Sequence, residues 1–330
     1  MDKSNYSPTD LNNFVSCKYH IKNDLLKDEL KLKKKEKNAN LKLRIEYGIQ
    51  HEANHFELLK TKHKKHITIN PNQSAEKKCA ETIEALKDGY DLIYKAYFVD
   101  NNFRGEVDFL LKTQIKSKLG DYSYEVHDTK ITKNLRPKHI LQITGYSYLL
   151  SKIQGFTPIK MYLIDGANLI HDFKVSEFLD YFLYTKDNFE KFLPTVEKID
   201  LYPEKCSFCN ICPWFDECEK VWVEDNYINQ ICGINVSQIT KLKKENIRTV
   251  EAFATTEIKD IKSKINPSTK IKLYKQAKLQ EEKRITGKSR FVINETENDK
   301  GLYKMPEPNA GDLFYDIEGF PQADKRNIEY

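Results

Sequence analysis

Three short segments carry most of the chemistry in this chain: Gly105-Glu106-Val107-Asp108, Glu125-Val126-His127-Asp128-Thr129-Lys130 and Gln142-Ile143-Thr144-Gly145-Tyr146. Phosphodiester hydrolysis needs a cation to polarise the phosphoryl oxygen, an activated water and positive charge near the developing oxyanion. Mg²⁺ takes oxygen ligands and is usually held by one or two carboxylates, waters and substrate phosphate. Asp108 and Asp128 offer such carboxylates from two apolar runs that read as neighbouring strands. Lys130 follows Asp128 by two positions, so strand alternation puts both side chains on one face. His127 and Thr129 then face the other way. Glu125 falls out of phase and takes a secondary place. Gln142 and Tyr146 stand one turn apart on the helix that follows. An acid-x-Lys alone reads as a surface ion pair; the ordered combination reads as a catalytic set.

The elements that must position these groups follow from periodicity. Residues 6–30 read as a turn entering a helix, with Ser7 or Thr9 as cap and Leu11, Phe14 and Val15 on its apolar face. Further helices are expected over 42–60, carrying His51, Glu52 and His55, and over 77–88. Short apolar runs over 91–99, 103–112 and 122–131 predict strands, the first two joined by Asn101-Asn102. A helix from Pro137 to Leu150, strands over 160–164 and 169–175, and a long helix over 177–197 complete the pattern. Strands and helices in this order predict an α/β core with a mixed central sheet flanked by helices. Beyond residue 222 the pattern is helical, and Gly233 to Phe253 suits a helix-hairpin-helix module or a plain helical spacer. Residues 286–311 read as a linker and 312–330 as the opening strand of a further domain, Asp312-Leu313-Phe314-Tyr315-Asp316-Ile317-Glu318.

At 330 residues the chain exceeds one typical domain. A formal charge of +5 permits nucleic-acid binding without requiring it. The basic runs 31–35 and 60–65 read equally as solvated helix faces or as a phosphate track. No apolar run reaches the ~18 residues of a membrane span, and the start carries no secretion signal, which predicts a cytoplasmic protein without a membrane partner.

Seven cysteines in such a chain point to metal chemistry in preference to disulfides. Cys206, Cys209, Cys212 and Cys218 could hold zinc or an iron–sulfur cluster, and their spacing alone does not decide. Cys79 and Cys232 read as small buried apolar residues. His51-Glu52-Ala53-Asn54-His55 also spells the helical His-Glu-x-x-His zinc motif of metalloproteases, with Glu81 or Glu84 as a third ligand.

Taken as a set, Gly48-x-x-His51-Glu52, Gly105-x-x-Asp108, Asp128-x-Lys130 and Gln142-x-x-x-Tyr146 resemble the RecB-like branch of the PD-(D/E)XK nucleases. The resemblance extends from Ser7-Pro8-Thr9-Asp10-Leu11 to Phe314-Tyr315-Asp316-Ile317-Glu318-Gly319 and is closest to bacterial RecB-like nucleases. In those, the C-terminal part is an RNase H-like 3′–5′ exonuclease domain, sometimes followed by a helicase. It implies a restriction-endonuclease-like nuclease domain over 1–222, a helical module over 223–285, a linker over 286–311 and a truncated exonuclease domain over 312–330. It implies that His51, Asp108 and Asp128 bind Mg²⁺ or Mn²⁺, that Lys130 assists the water, and that Gln142 and Tyr146 position DNA. It also implies a [4Fe–4S] cluster on Cys17, Cys209, Cys212 and Cys218; zinc is the alternative occupant, and the neighbouring Trp214 and Phe215 read as packing over the cluster. The expected activity is a metal-dependent deoxyribonuclease, preferring single-stranded DNA and acting as an exonuclease in repair, recombination or defence. Its expected partners are DNA and either a helicase or the missing exonuclease domain. The alternatives are a non-catalytic DNA-binding remnant and the zinc protease.

Overall fold

In the computed structural model, residues 5–293 and 300–315 are described. The chain divides into two compact units, Met1–Asp216 and Glu217–Tyr330.

The first unit begins with α1 (Pro8–Ser16), which Ser7 caps through a capping box with Asp10. A single helix was expected over 6–30, but Cys17 is extended (φ −164°, ψ 108°) and a second helix, α2 (Lys18–Leu26), starts after it. There follow α3 (Ala39–Lys62), the strand β1 (His66–Thr68), α4 (Ala75–Lys87), and the hairpin β2 (Leu92–Asp100) and β3 (Phe103–Thr113). Asn101, at φ 52°, gives that hairpin its two-residue turn. Next come β4 (Ser123–Thr129), α5 (Pro137–Gln154), β5 (Lys160–Ile164), β6 (Ile170–Lys174) and α6 (Leu179–Phe192). Pro194 ends α6 in a short 3₁₀ turn before the expected 197.

The six strands form one mixed sheet in sequential order. β1 runs parallel to β2 and β4 parallel to β5, while the other neighbours are antiparallel. The parallel β4–β5 pair requires a crossover, and α5 supplies it. The main core lies on one sheet face, where Val107, Leu110, Tyr124 and Val126 meet Leu141, Ile143 and Leu150 of α5. Phe14 of α1 and Phe189 of α6 lie edge-on with centroids 5.3 Å apart, and Tyr6 packs on both Phe103 and Phe189. α3 covers the opposite face, with Phe56 and Leu59 against Leu92, Phe109 and Leu111. Only the C-terminal half of α3 is pinned in this way, since His55 and Leu59 are its buried residues.

Two irregularities in the sheet decide where a site can form. The β3–β4 ladder runs from Thr113↔Ser123 to Phe109↔His127. Beyond that point β3 stays with β2 as far as Phe103, and β4 stays with β5 as far as Thr129↔Ile164. The sheet therefore forks, and Asp108 and Asp128 are the first residues past the fork. At the same level Lys95 has φ 59° in the middle of β2, a left-handed conformation that costs a non-glycine residue about 1–3 kcal/mol. Glycine is needed nearby at two points. A Cβ on Gly105 would lie 2.7 Å from the Tyr146 ring, and one on Gly166 would lie 2.1 Å from the carbonyl oxygen of Ile131.

The second unit is helical. α7 (Phe215–Glu224) leads into it and is followed by α8 (Val236–Lys243), α9 (Val250–Thr255) and α10 (Pro267–Thr286). Ile228, Ile239, Leu242, Val250, Phe253, Leu273 and Ala277 form its apolar interior. α8 and α9 are the paired short helices expected from the sequence, each begun by a side-chain cap, Asn235 and Thr249. Cys232, expected to be buried, is exposed, and Cys79 is half-buried. In the expected strand over 312–330, Asp312 to Tyr315 have no regular structure and Leu313 and Phe314 are over nine-tenths exposed. Asp316, Glu318 and Gly319 lie outside the described residues. No described helix is long and apolar enough to cross a membrane.

Candidate functional site

At the fork, a cleft of about 340 Å³ is lined by Glu52, Asp108, Asp128, Lys130, Gln142 and Tyr146, with Arg44 and Gly48 of α3 forming one wall. Asp108 occupies the gap between the parting strands. Its Oδ2 accepts the Thr129 backbone N–H at 3.1 Å and the Thr129 hydroxyl at 3.3 Å, and its Oδ1 accepts from Lys95 Nζ at 3.0 Å. The side chain thus replaces the ladder bond that the fork removes. Lys130 Nζ forms an ion pair with Asp128 Oδ2. The Lys130 backbone N–H donates to the Ile164 carbonyl at 2.8 Å, which anchors the residue just past the end of β4. On α5, Gln142 Nε2 donates to the Tyr146 hydroxyl at 2.8 Å, and the missing Cβ of Gly105 lets that ring lie against β3.

The electrostatics follow from burial. Desolvation pushes the Asp128 carboxyl up to about 7, with the nearby Asp108 charge adding to the rise and Lys130 opposing it. Burial acts on Asp108 as well, but there Lys95, Lys130 and the Thr129 N–H outweigh it and hold the carboxyl below its usual range. Burial would lower both lysines, yet each is raised by its carboxylates: Lys95 by Asp108 and Glu52, Lys130 by Asp128 and Asp108. Burial raises the Tyr146 hydroxyl, and Asp128 adds to the effect.

The fork therefore gathers five of the residues singled out from sequence: Asp108, Asp128, Lys130, Gln142 and Tyr146. His51 is not among the cleft-lining residues, and its Nε2 is buried without a hydrogen-bond partner. His55 packs edge-on against Phe109 on the far side of the sheet. Glu81, considered as a protease ligand, instead accepts from Gln73 and from the Asn70 N–H. Glu125 accepts the Lys160 N–H at 3.0 Å and does not line the cleft. Thr129, expected on the opposite face, reaches Asp108. Lys95 enters the site unannounced and is joined there by Glu52: Lys95 Nζ lies 2.5 Å from Glu52 Oε1 and 3.9 Å from Glu106 Oε1. Lys95 stands in an ordinary strand sequence and carried no signal, whereas Glu52 had one in its place beside His51.

Among the described residues, no three His, Cys, Asp or Glu side chains converge closely enough to hold a metal unaided. The ammonium groups of Lys95 and Lys130 stand against the carboxylates of the cleft. The donor set still suits Mg²⁺ or Mn²⁺, which need one or two protein carboxylates and complete their shell with water and phosphate. A buried carboxyl raised toward neutrality is one that a divalent cation would return to its charged form.

A second cluster gathers thiols. Cys206 Sγ is 3.8 Å from Cys209 Sγ and hydrogen-bonds with Cys17. Cys212 Sγ is 3.3 Å from His20 Nδ1, whose Nε2 pairs with Asp24 at 2.9 Å. Asp24 also accepts from the buried Trp214 indole at 3.2 Å. Cys218 is buried on α7. The described cysteines form no disulfide. Thiolates are the donors that zinc or an iron–sulfur cluster takes, though no three of the described cysteines converge closely enough to hold a metal unaided. A groove of about 790 Å³ runs beside Cys209 and Cys212, lined by Lys34, Lys35 and Lys37 and reaching Leu41 on the first turn of α3.

No protein-family profile matches the chain, and no curated protein is significantly similar to it.

The raised Asp128 carboxyl has a measurable consequence. Between the unfolded value near 4 and the folded value near 7, the folded chain keeps a proton that the unfolded chain has lost. The group therefore withdraws stability as pH rises through that window, by at most about 1.4 kcal/mol per pH unit. In metal-free buffer, Asp128→Asn is expected to gain stability relative to wild type from about pH 5 to pH 7, and to hold that gain above pH 8. Urea melts of both chains across this range check it, and a pH-independent difference would contradict the raised carboxyl.

Proposed function

We propose that the first unit is a divalent-metal-dependent nuclease acting on DNA, with a restriction-endonuclease-like PD-(D/E)XK core. The observation that carries this reading is the meeting of Asp108, Asp128 and Lys130 at the sheet fork, in one cleft, with the Asp128 carboxyl raised to about 7. The order in which these residues and Gln142 and Tyr146 follow one another, which resembles RecB-like nucleases, supports it. A bound Mg²⁺ or Mn²⁺ would polarise the scissile phosphate and lower the pKa of its water. Asp108 and Asp128 would hold that ion, and the unpaired buried Nε2 of His51 is a further donor on the adjoining helix. Lys130, tied to Asp128, orients the water and meets charge that develops on the phosphoryl oxygens. Gln142 fixes the Tyr146 hydroxyl, and together they border the substrate's approach. Arg44 supplies a guanidinium at the cleft wall suited to bidentate phosphate contact.

Single-stranded DNA is the substrate that fits best. The lysine-lined groove and the cleft are joined by the first turns of α3, where Ile45 and Ile49 are exposed (39% and 63%) beside Arg44. A flexible single strand can lay phosphates on the lysines and apolar base faces on the isoleucines. The thiol cluster is read as a [4Fe–4S] staple drawn from Cys17, Cys209, Cys212 and Cys218, with Cys206 close enough to two of them to serve as an alternative ligand.

Two experiments test these readings. End-labelled single-stranded DNA with Mg²⁺ or Mn²⁺ is expected to be cleaved by wild type and at least 100-fold more slowly by Asp128→Ala and Lys130→Ala, a loss of the size set by a missing charge-stabilising group. Intact DNA with wild-type protein, or undiminished cleavage by both variants, would refute the assignment. Anaerobically purified protein is expected to be brown, absorbing near ~400 nm as thiolate-bound iron clusters do. Colourless protein containing zinc would remove the iron–sulfur reading and leave the nuclease reading standing.

A further inference from the structure

Lys95 is the residue of the cleft region that neither the motif pattern nor the proposed chemistry requires. It is also the one that the backbone goes furthest to place. It sits in mid-strand with φ 59°, between the pairs Tyr94↔Phe109 and Ala96↔Val107. Its ammonium lies 2.5 Å from Glu52 Oε1, 3.0 Å from Asp108 Oδ1 and 3.9 Å from Glu106 Oε1. An ammonium has three donors, and three carboxylates from α3 and β3 surround this one. Glu52 is held from a second side by the Tyr94 hydroxyl. The Lys95 side chain is 24% exposed and those of Glu52 and Asp108 are 15% exposed each. Carboxylates so far removed from water need a positive partner at all times. Divalent ions sit about 2.0–2.6 Å from carboxylate oxygens, only slightly closer than this ammonium.

We propose that Lys95 is a built-in cation of the cleft: its ammonium fills the position between Glu52 and Asp108 that a second divalent ion would otherwise take, so the site binds one ion and not two. The proposal rests on the reading of the fork as a divalent-metal site. Asp108 is then shared: Oδ1 accepts from Lys95 and Oδ2 from the Thr129 N–H and hydroxyl, so that one lone pair on Oδ1, together with Asp128, is left for the single exchangeable ion. Such an arrangement keeps Glu52 and Asp108 charged and in place before metal arrives.

The test is the stoichiometry of Mn²⁺ binding, read by calorimetry and by the loss of free-Mn²⁺ electron paramagnetic resonance signal, with no substrate present. Wild type is expected to bind one Mn²⁺. Lys95→Met, which removes the charge and keeps the length, is expected to bind two, and Lys95→Arg is expected to return to one. The second ion should disappear again in Lys95→Met/Glu52→Gln. Lys95→Gly, which suits the left-handed backbone, is a second uncharged variant should Lys95→Met fail to fold, and it too is expected to bind two ions. One ion in both uncharged variants, or two in wild type, would overturn the proposal while leaving the metal site itself in place. No Mn²⁺ bound by wild type would instead overturn the metal-site reading and the proposal with it.

Discussion

Two carboxylates buried where β3 and β4 part are the constraint on which the rest of the first unit turns. Asp108 and Asp128 sit past the last shared rung of the ladder, largely out of water, and like charges this close cannot both be carried without cations. Lys95 and Lys130 meet that requirement, one from a strained position in β2 and one from the residue that ends β4's pairing with β5. The division of labour is uneven. Asp108 has two lysines and a backbone N–H and stays ionised, whereas Asp128 rests near neutrality. An arrangement with one committed and one poised carboxyl costs stability in the empty chain, a cost that the proposed divalent cation would relieve. The surrounding scaffold serves this geometry: Gly105 admits the Tyr146 ring, and Gly166 lets the turn between β5 and β6 press against the backbone that follows Lys130.

Much of this frame was legible in the sequence because it rests on local signals. The short apolar runs from 91 to 131 marked β2, β3 and β4, Asn101-Asn102 marked the hairpin of the first two, and Pro137 marked the start of α5. The mixed sheet with helices on both faces followed from the order of those elements. Other features depend on tertiary context. β1 is only three residues long and gains its strand character by pairing with β2. The break at Cys17 has no proline or glycine to announce it, and its extended backbone brings the thiol to Cys206.

The site was legible in its motif residues, Lys130 among them, and illegible in its other counter-charge. Asp108, Asp128, Lys130, Gln142 and Tyr146 announced themselves by spacing, and one cleft contains them all. Lys95 did not, because a lysine in a strand is ordinary until its φ value and its neighbours on α3 and β3 are known. Thr129 shows the same limit: strict alternation sent it to the far face, but the end of the ladder lets it turn to Asp108. Strand-period reasoning holds only while strands stay paired, and this cleft lies where the pairing of β3 and β4 stops. The thiol cluster adds a similar case, since His20, paired with Asp24, reaches Cys212 from a helix far away in sequence.

The most direct test of the central claim is a crystal of the chain soaked in Mn²⁺ and measured at the manganese edge. The expected result is an anomalous peak at the fork, within direct bonding distance of an Asp108 or Asp128 carboxylate oxygen. A peak elsewhere, such as between His51 and His55, with none at the fork in fully loaded crystals, would contradict the assignment of the fork as the metal site.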